Sequence, residues 1–192
     1  MERIREKPTA FSARTVATAA LVCALSVLVP QVFHLLGGKP LGNAFLPMHL
    51  PVLLGGYLLN PAAAMLCGML SPILGFLLTG MPAVPRLFFM IFELGAYGLF
   101  TSLFARKCRL PVFLSLPLSM LAGRIVYFLS LLFALRVLHL ELAGAPSASA
   151  ALISAVATGV PGILLQLAAV PALLTAMRKA KVIHYEPRFG KL

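Results

Sequence analysis

Glu93 and Arg124 are ionisable residues that lie well inside long apolar runs of the sequence. Glu93 stands about nine residues into its run, which at 1.5 Å per helical residue is roughly 14 Å from the end. A lone charge at such a depth in a membrane costs about 2.5–3.5 kcal/mol on insertion scales. Because Arg124 sits near the middle of a neighbouring run, we expect the two charges to form an ion pair. A purely structural pair without a ligand is the alternative.

Further polar side chains fall on the same helical faces, which indicates a cavity shared by several helices. Arg86 and Tyr97 align with Glu93 at helical spacing, and Tyr127 aligns with Arg124. Arginines in a cavity would bind a carboxylate through strong, directional hydrogen bonds. The full set of candidate binding residues is His49, Arg86, Glu93, Tyr97, Arg124, Tyr127 and Gln166.

His49 differs from the other histidines because it lies between Pro47 and Pro51 in an apolar run. We place it near the outer face of the membrane, as a candidate ligand-binding residue. The remaining three histidines, His34 among them, are interpreted as interface or solvent residues. No group of residues has metal-ligand spacing, and no Walker-type nucleotide loop occurs. The sequence therefore predicts no metal and no cofactor.

The composition requires a membrane. Of the 192 residues, 60% are hydrophobic and only 11% are charged, and the mean hydropathy is +0.99. A soluble domain of this size could not cover so much apolar surface. The net charge of +11 does not indicate nucleic acid, because the basic residues cluster at the ends of apolar runs, where they set membrane orientation. We predict an all-α integral membrane protein with no nucleic-acid partner.

Six apolar runs predict six membrane spans, since a bilayer needs about 20 helical residues to cross. Glycine and proline at 37–42, 60–61 and 79–85, a basic turn at 106–109 and a polar stretch at 139–149 separate the runs. The predicted spans are residues 12–36, 43–59, 61–78, 84–105, 110–138 and 150–177. Together they predict one compact bundle, a single domain over residues 1–192, with a ligand cavity at its outer face.

Lysine and arginine concentrate in the leader before the first span, in the turn at 106–109, and in the tail after residue 177. Six spans place these three segments on one side, and the positive-inside rule makes that side the cytoplasm. We therefore expect both termini in the cytoplasm. Alanines spaced four apart on the first span would also let another helix approach closely. These alanines are Ala13, Ala17, Ala20 and Ala24.

Several motifs in this order and spacing resemble one known family. They are FLPMHLPVLLGGYLLNP from residue 45, SPILGFLLTGMP from 71, FELGAYG from 92, AGRIVYF from 122 and GVPGILLQLAAVP from 159. Together they resemble the substrate-binding S component of energy-coupling factor (ECF) transporters, over about residues 13–177.

The resemblance implies a six-helix protein of a bacterial cell membrane that binds a vitamin or related micronutrient from outside. It implies a pocket among the later helices and the outer loops. It also implies a transmembrane coupling subunit and two ABC-type ATPases as partners, whose ATP-driven cycle topples the S component to deliver its substrate. Ala20 and Ala24 best match the family's coupling-subunit motif, and Ala13 with Ala17 is a second match. A carboxylate-bearing vitamin such as pantothenate would suit the arginines.

Two other function classes stay open, an intramembrane enzyme and a stand-alone transporter of small solutes. An enzyme would need a nucleophile–base pair or a metal set within the spans, and no Gly-x-Ser-x-Gly or His-Glu-x-x-His motif is present. A secondary transporter often carries inverted repeats, and the first and last three spans share no sequence pattern. We therefore predict a binding subunit and not an enzyme.

Overall fold

The computed structural model describes residues 12–137 and 147–180, and all regular elements in these ranges are helices. They are α1 (Ala13–Phe45), α2 (His49–Leu58), α3 (Pro61–Thr79), α4 (Arg86–Ser102), a π-helical turn (Leu103–Lys107), α5 (Val112–Arg136) and α6 (Ala148–Lys179). Five stretches of the described chain are long and apolar enough to cross a membrane: Ala13–Gly38, Pro61–Thr79, Arg86–Lys107, Val112–Arg136 and Ala148–Lys179. The predicted all-α membrane architecture is confirmed. The predicted span 43–59 is not among the five.

α1 reverses its direction at Gly37 and Gly38, whose backbone angles are not helical. Gly38 has φ 66° and ψ −159°, a region that essentially only glycine can adopt. The helix then resumes over residues 39–45, which we call the return segment. The rings of Phe33 and Phe45 have centroids 5.5 Å apart, so the return segment runs back along the end of α1.

The predicted loop at residues 37–42 is therefore correct only at Gly37 and Gly38, because residues 39–42 are helical. Pro40 suggested a loop, but proline also fits the first turn of a helix, where the missing N–H would have no partner. Gly42 lies directly against His34, because a Cβ at Gly42 would come within 2.8 Å of the imidazole Cε1. The close contact shows how tightly the return segment packs on α1.

The predicted span 43–59 is wrong as one continuous helix, because the chain leaves helical geometry at residues 46–48, which we call the break. Leu46 adopts φ 48° and ψ 50°, and it precedes Pro47, which disfavours right-handed helix at the residue before it. α2 follows the break with ten residues, about 15 Å of helix, which is half of a membrane's apolar thickness.

α3 and α4 pack with their backbones in contact, and glycine makes this possible. Gly68 of α3 lies against the carbonyl of Leu94, and Gly98 of α4 lies against the carbonyl of Ala64. Small residues at such crossings let helices approach closely without side chains between them. α4 also packs on α2 and α5, so its inward face is the central surface of the bundle.

The helix ends gather in two groups at opposite ends of the bundle. In the first group, the π-helical turn contacts the end of α2, because Arg106 Nη2 donates to the Leu58 carbonyl over 3.4 Å. Ala105, Val112 and Leu174 share one core cluster there, which joins the start of α5 to the end of α6. We call this group the basic end. The other end gathers the reversal of α1, the end of α3 and the start of α4, and we call it the cavity end.

Large apolar side chains are exposed around the outside of the bundle. Leu21 and Leu28 of α1, Phe113 of α5, and Ile153 and Leu164 of α6 are each about 60% exposed or more. A bilayer supplies the apolar contact that such a surface requires, and water does not.

Candidate functional site

Glu93 is buried at the centre of the bundle, with 2% of its surface exposed. Its Oε1 lies 2.8 Å from Arg124 Nη1 of α5, which confirms the predicted ion pair. Tyr97, one helical turn further along α4, donates its hydroxyl to the same oxygen over 3.1 Å. Because two donors converge on one carboxylate oxygen, the charge of Glu93 is compensated within the protein.

His49 completes this cluster from the first residue of α2. Its Nε2 lies 3.8 Å from Glu93 Oε1, which is beyond hydrogen-bond distance. Its ring meets the Tyr97 ring edge-on, with centroids 5.4 Å apart. Only 3% of the His49 side chain is exposed, and neither ring nitrogen has a hydrogen-bond partner within the described chain. His49 thus lies at the same depth in the bundle as Glu93, whereas the sequence placed it near the outer face. The return segment lies between the cavity end and His49, and it carries the chain to this depth.

Gln166 holds the break in place from α6. Its Nε2 donates to the Leu46 carbonyl over 3.2 Å, and the Gln166 side chain is fully buried. Gly162, one turn earlier, lets the α6 backbone touch the Phe45 carbonyl. Backbone groups within a membrane must find partners inside the protein, and α6 supplies one here. Gln166 therefore fixes the chain directly before His49.

A cavity of about 260 Å³ lies at the cavity end, between α1, the return segment, the break and the connection from α3 to α4. The residues that line it are Pro30, Gln31, His34, Gly42, Asn43, Leu46, Pro47, Met48, His49, Gly75, Met81, Pro82, Ala83, Val84, Arg86 and Met90. Most of them are apolar, and a few polar groups converge, which is the usual make-up of a small-molecule site. The cavity uses earlier helices than the resemblance implied.

Arg86 spans one side of this cavity. Its Nη1 donates to Asn43 Oδ1 over 2.6 Å, and this bond joins the start of α4 to the return segment. A guanidinium carries five N–H donors, so one bond to Asn43 leaves most of them for other partners. The cavity lining contains Arg86 and no aspartate or glutamate, so its electrostatic character is positive.

The structure divides the predicted site residues into three groups. His49 and Arg86 line the cavity. Glu93, Tyr97 and Arg124 form the cluster behind His49, and Gln166 holds the break. Tyr127 instead packs edge-on against Phe89, with centroids 6.1 Å apart, in an apolar cluster between α4, α5 and α6.

Three polar residues of the cavity were not predicted. Gln31 and His34 are three residues apart at the end of α1, and Asn43 lies on the return segment. His34, which we interpreted as an interface or solvent residue, is half-buried and lines the cavity. Gln31 and His34 could have been identified from the sequence, because they are polar residues at helical spacing near the end of an apolar run. The glycines of the predicted loop at 37–42 indicated a change of direction, but they did not indicate that the helix resumes directly after Gly38 and brings Asn43 back beside these two residues.

Comparison with known proteins identifies one family. A sequence-family model described as "ECF transporter, substrate-specific component" matches residues 14–174. No curated protein and no solved structure matches the chain.

Proposed function

Because the chain belongs to the substrate-specific components of ECF transporters, we propose that it captures a vitamin or related micronutrient for ATP-driven uptake. The family match over residues 14–174 is the observation that carries this proposal. Members of the family are subunits of transporters and not enzymes, and they work with a transmembrane coupling subunit and ATPases. For this chain we propose one coupling subunit and two ABC-type ATPases as partners.

The proposal includes six membrane crossings, with the second made of two short helices. The return segment, the break and α2 together cover residues 39–58, which as helix would extend about 30 Å, one apolar membrane thickness. Irregular backbone at membrane depth is tolerated where it lines a cavity or is buried in protein. The break meets both conditions, since Leu46 lines the cavity and accepts from Gln166.

We propose that the basic end faces the cytoplasm of a bacterial cell and the cavity end faces outward. Arg106 and Lys107 end the π-turn, and Arg178 and Lys179 end α6. The start of α1 lies at the same end, because Cys67, near the start of α3, has its Sγ 3.6 Å from the carbonyl of Ala19. The positive-inside rule therefore supports cytoplasmic termini. The leader 1–11 and the tail 181–192 lie outside the described residues.

The substrate site of this proposal is the cavity together with the cluster behind it. His49 and Arg86 would contact the ligand, since both line the cavity. Glu93, Tyr97 and Arg124 would hold His49 at the end of the cavity, and Gln166 would fix the break. We keep Tyr127 in the proposed set because it lies on α5, next to α4.

The proposed surface for the coupling subunit is the alanine face of α1. Its four alanines, Ala13, Ala17, Ala20 and Ala24, are all exposed. An exposed face of small residues lets a partner helix approach closely. Ala20 and Ala24 are our first choice for the contact, with Ala13 and Ala17 as the second.

Co-purification tests the proposal directly. The tagged protein is extracted from its own cells in a mild detergent, and the captured subunits are identified by mass spectrometry. We expect one coupling subunit and two ABC-type ATPases. An Ala20→Trp/Ala24→Trp variant should lose them, because the bulky rings block close helix approach. Leu121→Trp, at an exposed position of α5, is the matched control and should retain them.

Failure to capture any ATPase would contradict the proposal and favour a stand-alone transporter. Capture that is lost with Ala13→Trp/Ala17→Trp, and not with the other pair, would move the contact about two turns along α1. Reconstituted uptake that continues without ATP would also contradict an ATP-driven mechanism.

A further inference from the structure

Among the residues that the structure describes, the cavity lining contains a positively charged side chain and no negatively charged one, so it suits an anionic ligand better than a cationic one. Arg86 brings a permanent positive charge, and no carboxylate lines the described cavity wall. The nearest acid named in the cluster, Glu93, lies behind His49 and already accepts bonds from Arg124 and Tyr97. A cationic ligand would therefore find no counter-charge here, whereas an anionic ligand would.

The bond between Arg86 and Asn43 identifies where an anion would bind. Both residues line the cavity, and Asn43 Oδ1 is a neutral acceptor 2.6 Å from Arg86 Nη1. A carboxylate forms charge-assisted hydrogen bonds that are roughly twice as strong as neutral ones, and it can bind a guanidinium with both oxygens. An incoming carboxylate that bridges Nη1 and a second guanidinium nitrogen of Arg86 would therefore compete with the Asn43 amide oxygen for Nη1.

His49 supplies a second contact, deeper in the cavity. Its side chain is 3% exposed, it lines the cavity, and neither ring nitrogen has a hydrogen-bond partner among the described residues. A buried imidazole without partners is costly unless something occupies the site. A hydroxyl or amide on the body of the ligand would pair with it, because neutral histidine offers one donor and one acceptor.

The size and the walls of the cavity limit the rest of the ligand. The volume of about 260 Å³ is below the roughly 300–1,000 Å³ of pockets for drug-sized molecules. Between the polar groups the walls are apolar, with Pro30, Met48, Met81 and Met90 among them. These walls fit a short, uncharged body.

We propose that the cavity binds a small monocarboxylate with an uncharged, hydroxyl- or amide-bearing body, and that its carboxylate displaces Asn43 from Arg86. This inference rests on the proposed function and names the substrate class for that site. It also gives Asn43 a role, because its amide oxygen binds Arg86 in the absence of ligand and competes with the ligand carboxylate.

Calorimetric binding to the full-length purified protein tests the charge of the ligand with matched pairs. The acids are pantothenate and biotin, whose uncharged bodies carry hydroxyl and amide groups or a ureido group, and each is compared with its uncharged alcohol or amide. Thiamine serves as the cationic probe, riboflavin as the large uncharged probe and pyridoxal 5′-phosphate as the phosphate probe. We expect one acid to bind at least tenfold more tightly than its uncharged partner, and the last three probes not to bind.

Three variants then test the exchange at Arg86 with the acid that binds. Arg86→Gln should weaken binding at least tenfold, because the counter-charge is lost. Asn43→Asp should also weaken it at least tenfold, because a fixed carboxylate occupies Arg86 permanently. Asn43→Ala should strengthen it several-fold, because no acceptor has to be displaced. Arg136→Gln, which removes the same charge from the exposed end of α5, is the control and should bind as the wild type does.

Each variant is first checked for an unfolding temperature within about 3 °C of the wild type without ligand. Binding of no acid, or of thiamine or the phosphate ester instead, would overturn the inference. So would unchanged affinity of the acid in Asn43→Asp. Because co-purification with the ATPases is a separate measurement, these outcomes would leave the proposed function standing, and failed co-purification would remove that function whatever binds.

Discussion

At the scale of single residues, the sequence predicted the contacts that depend on charge, and it missed those that depend on the path of the chain. Glu93 and Arg124 were paired correctly because two opposite charges at similar depth have few other ways to be stabilised. The sequence did not bring His49 to the same depth as Glu93, and it did not identify Asn43. Both positions follow from the reversal after α1, which two glycines produce without any distinctive charge or periodicity.

The ion pair gives a prediction at this scale. Glu93→Gln and Arg124→Gln should each lower the unfolding temperature, because removal of one partner leaves a buried charge uncompensated, at a cost of about 3–5 kcal/mol. The double variant should unfold at a higher temperature than the worse single variant, because it leaves no unpaired charge. Thermal unfolding of the ligand-free protein in detergent measures all three.

Arg136→Gln is the control for this series, since Arg136 is exposed at the end of the same helix. It should shift the unfolding temperature by little. A double variant no more stable than the worse single variant would show that Glu93 and Arg124 act independently.

At the scale of helices, the apolar runs predicted α3, α4, α5 and α6 to within a few residues, because length and hydropathy suffice for continuous spans. They failed for the second crossing. A ten-residue α2 and a seven-residue return segment look in sequence like one short span, since their lengths add up. What separates them is the left-handed backbone of Leu46, and its stability depends on a hydrogen bond from α6.

The close contact between α3 and α4 gives a prediction from two glycines on one helix. A methyl group at Gly98 would meet the backbone of Ala64, whereas one at Gly95 would meet the flexible side chain of Met69. Gly98→Ala should therefore destabilise the protein by about 1–3 kcal/mol, as overpacking does. Gly95→Ala should be milder than Gly98→Ala, because a side chain can shift where a backbone cannot and alanine favours helix by up to about 1 kcal/mol over glycine.

Unfolding temperatures of the two variants decide the comparison, and each serves as the control for the other. At roughly 2–4 °C per kcal/mol for a protein of this size, the difference is measurable. Equal unfolding temperatures would mean that the two helices do not touch through their backbones at Gly98.

At the scale of the whole molecule, the separation of charge supports the proposed orientation in the membrane. The ends of the π-turn and of α6 carry arginine and lysine, and the cavity lies at the opposite end of the bundle. The sequence predicted this arrangement because the positive-inside rule depends on charge clusters and not on helix packing. The sequence predicted a cavity at the outer face, but it did not identify the segments that line it, because these are distant from the charged turns.

Cysteine labelling measures the orientation. The native Cys108 is exposed beside the basic end, and the other two cysteines, Cys23 and Cys67, are buried. In intact cells a membrane-impermeant maleimide should leave the wild type unlabelled until the cells are permeabilised. Val84→Cys in a Cys108→Ser background should label in intact cells, because position 84 is 55% exposed at the cavity end. The opposite pattern would invert the proposed topology.

The bond from Gln166 to Leu46 also has a consequence for how the chain is made. Its two residues are 120 positions apart in sequence, and α6 is the last helix of the described residues to be synthesised. At a synthesis rate of about 5–20 residues per second, Gln166 is added roughly 6–24 s after Leu46. During that time the backbone carbonyl of Leu46 is not yet held by Gln166 of α6. The cavity therefore takes its final form only after Gln166 has been synthesised, and a nascent chain released after α5 would lack the bond that holds the break.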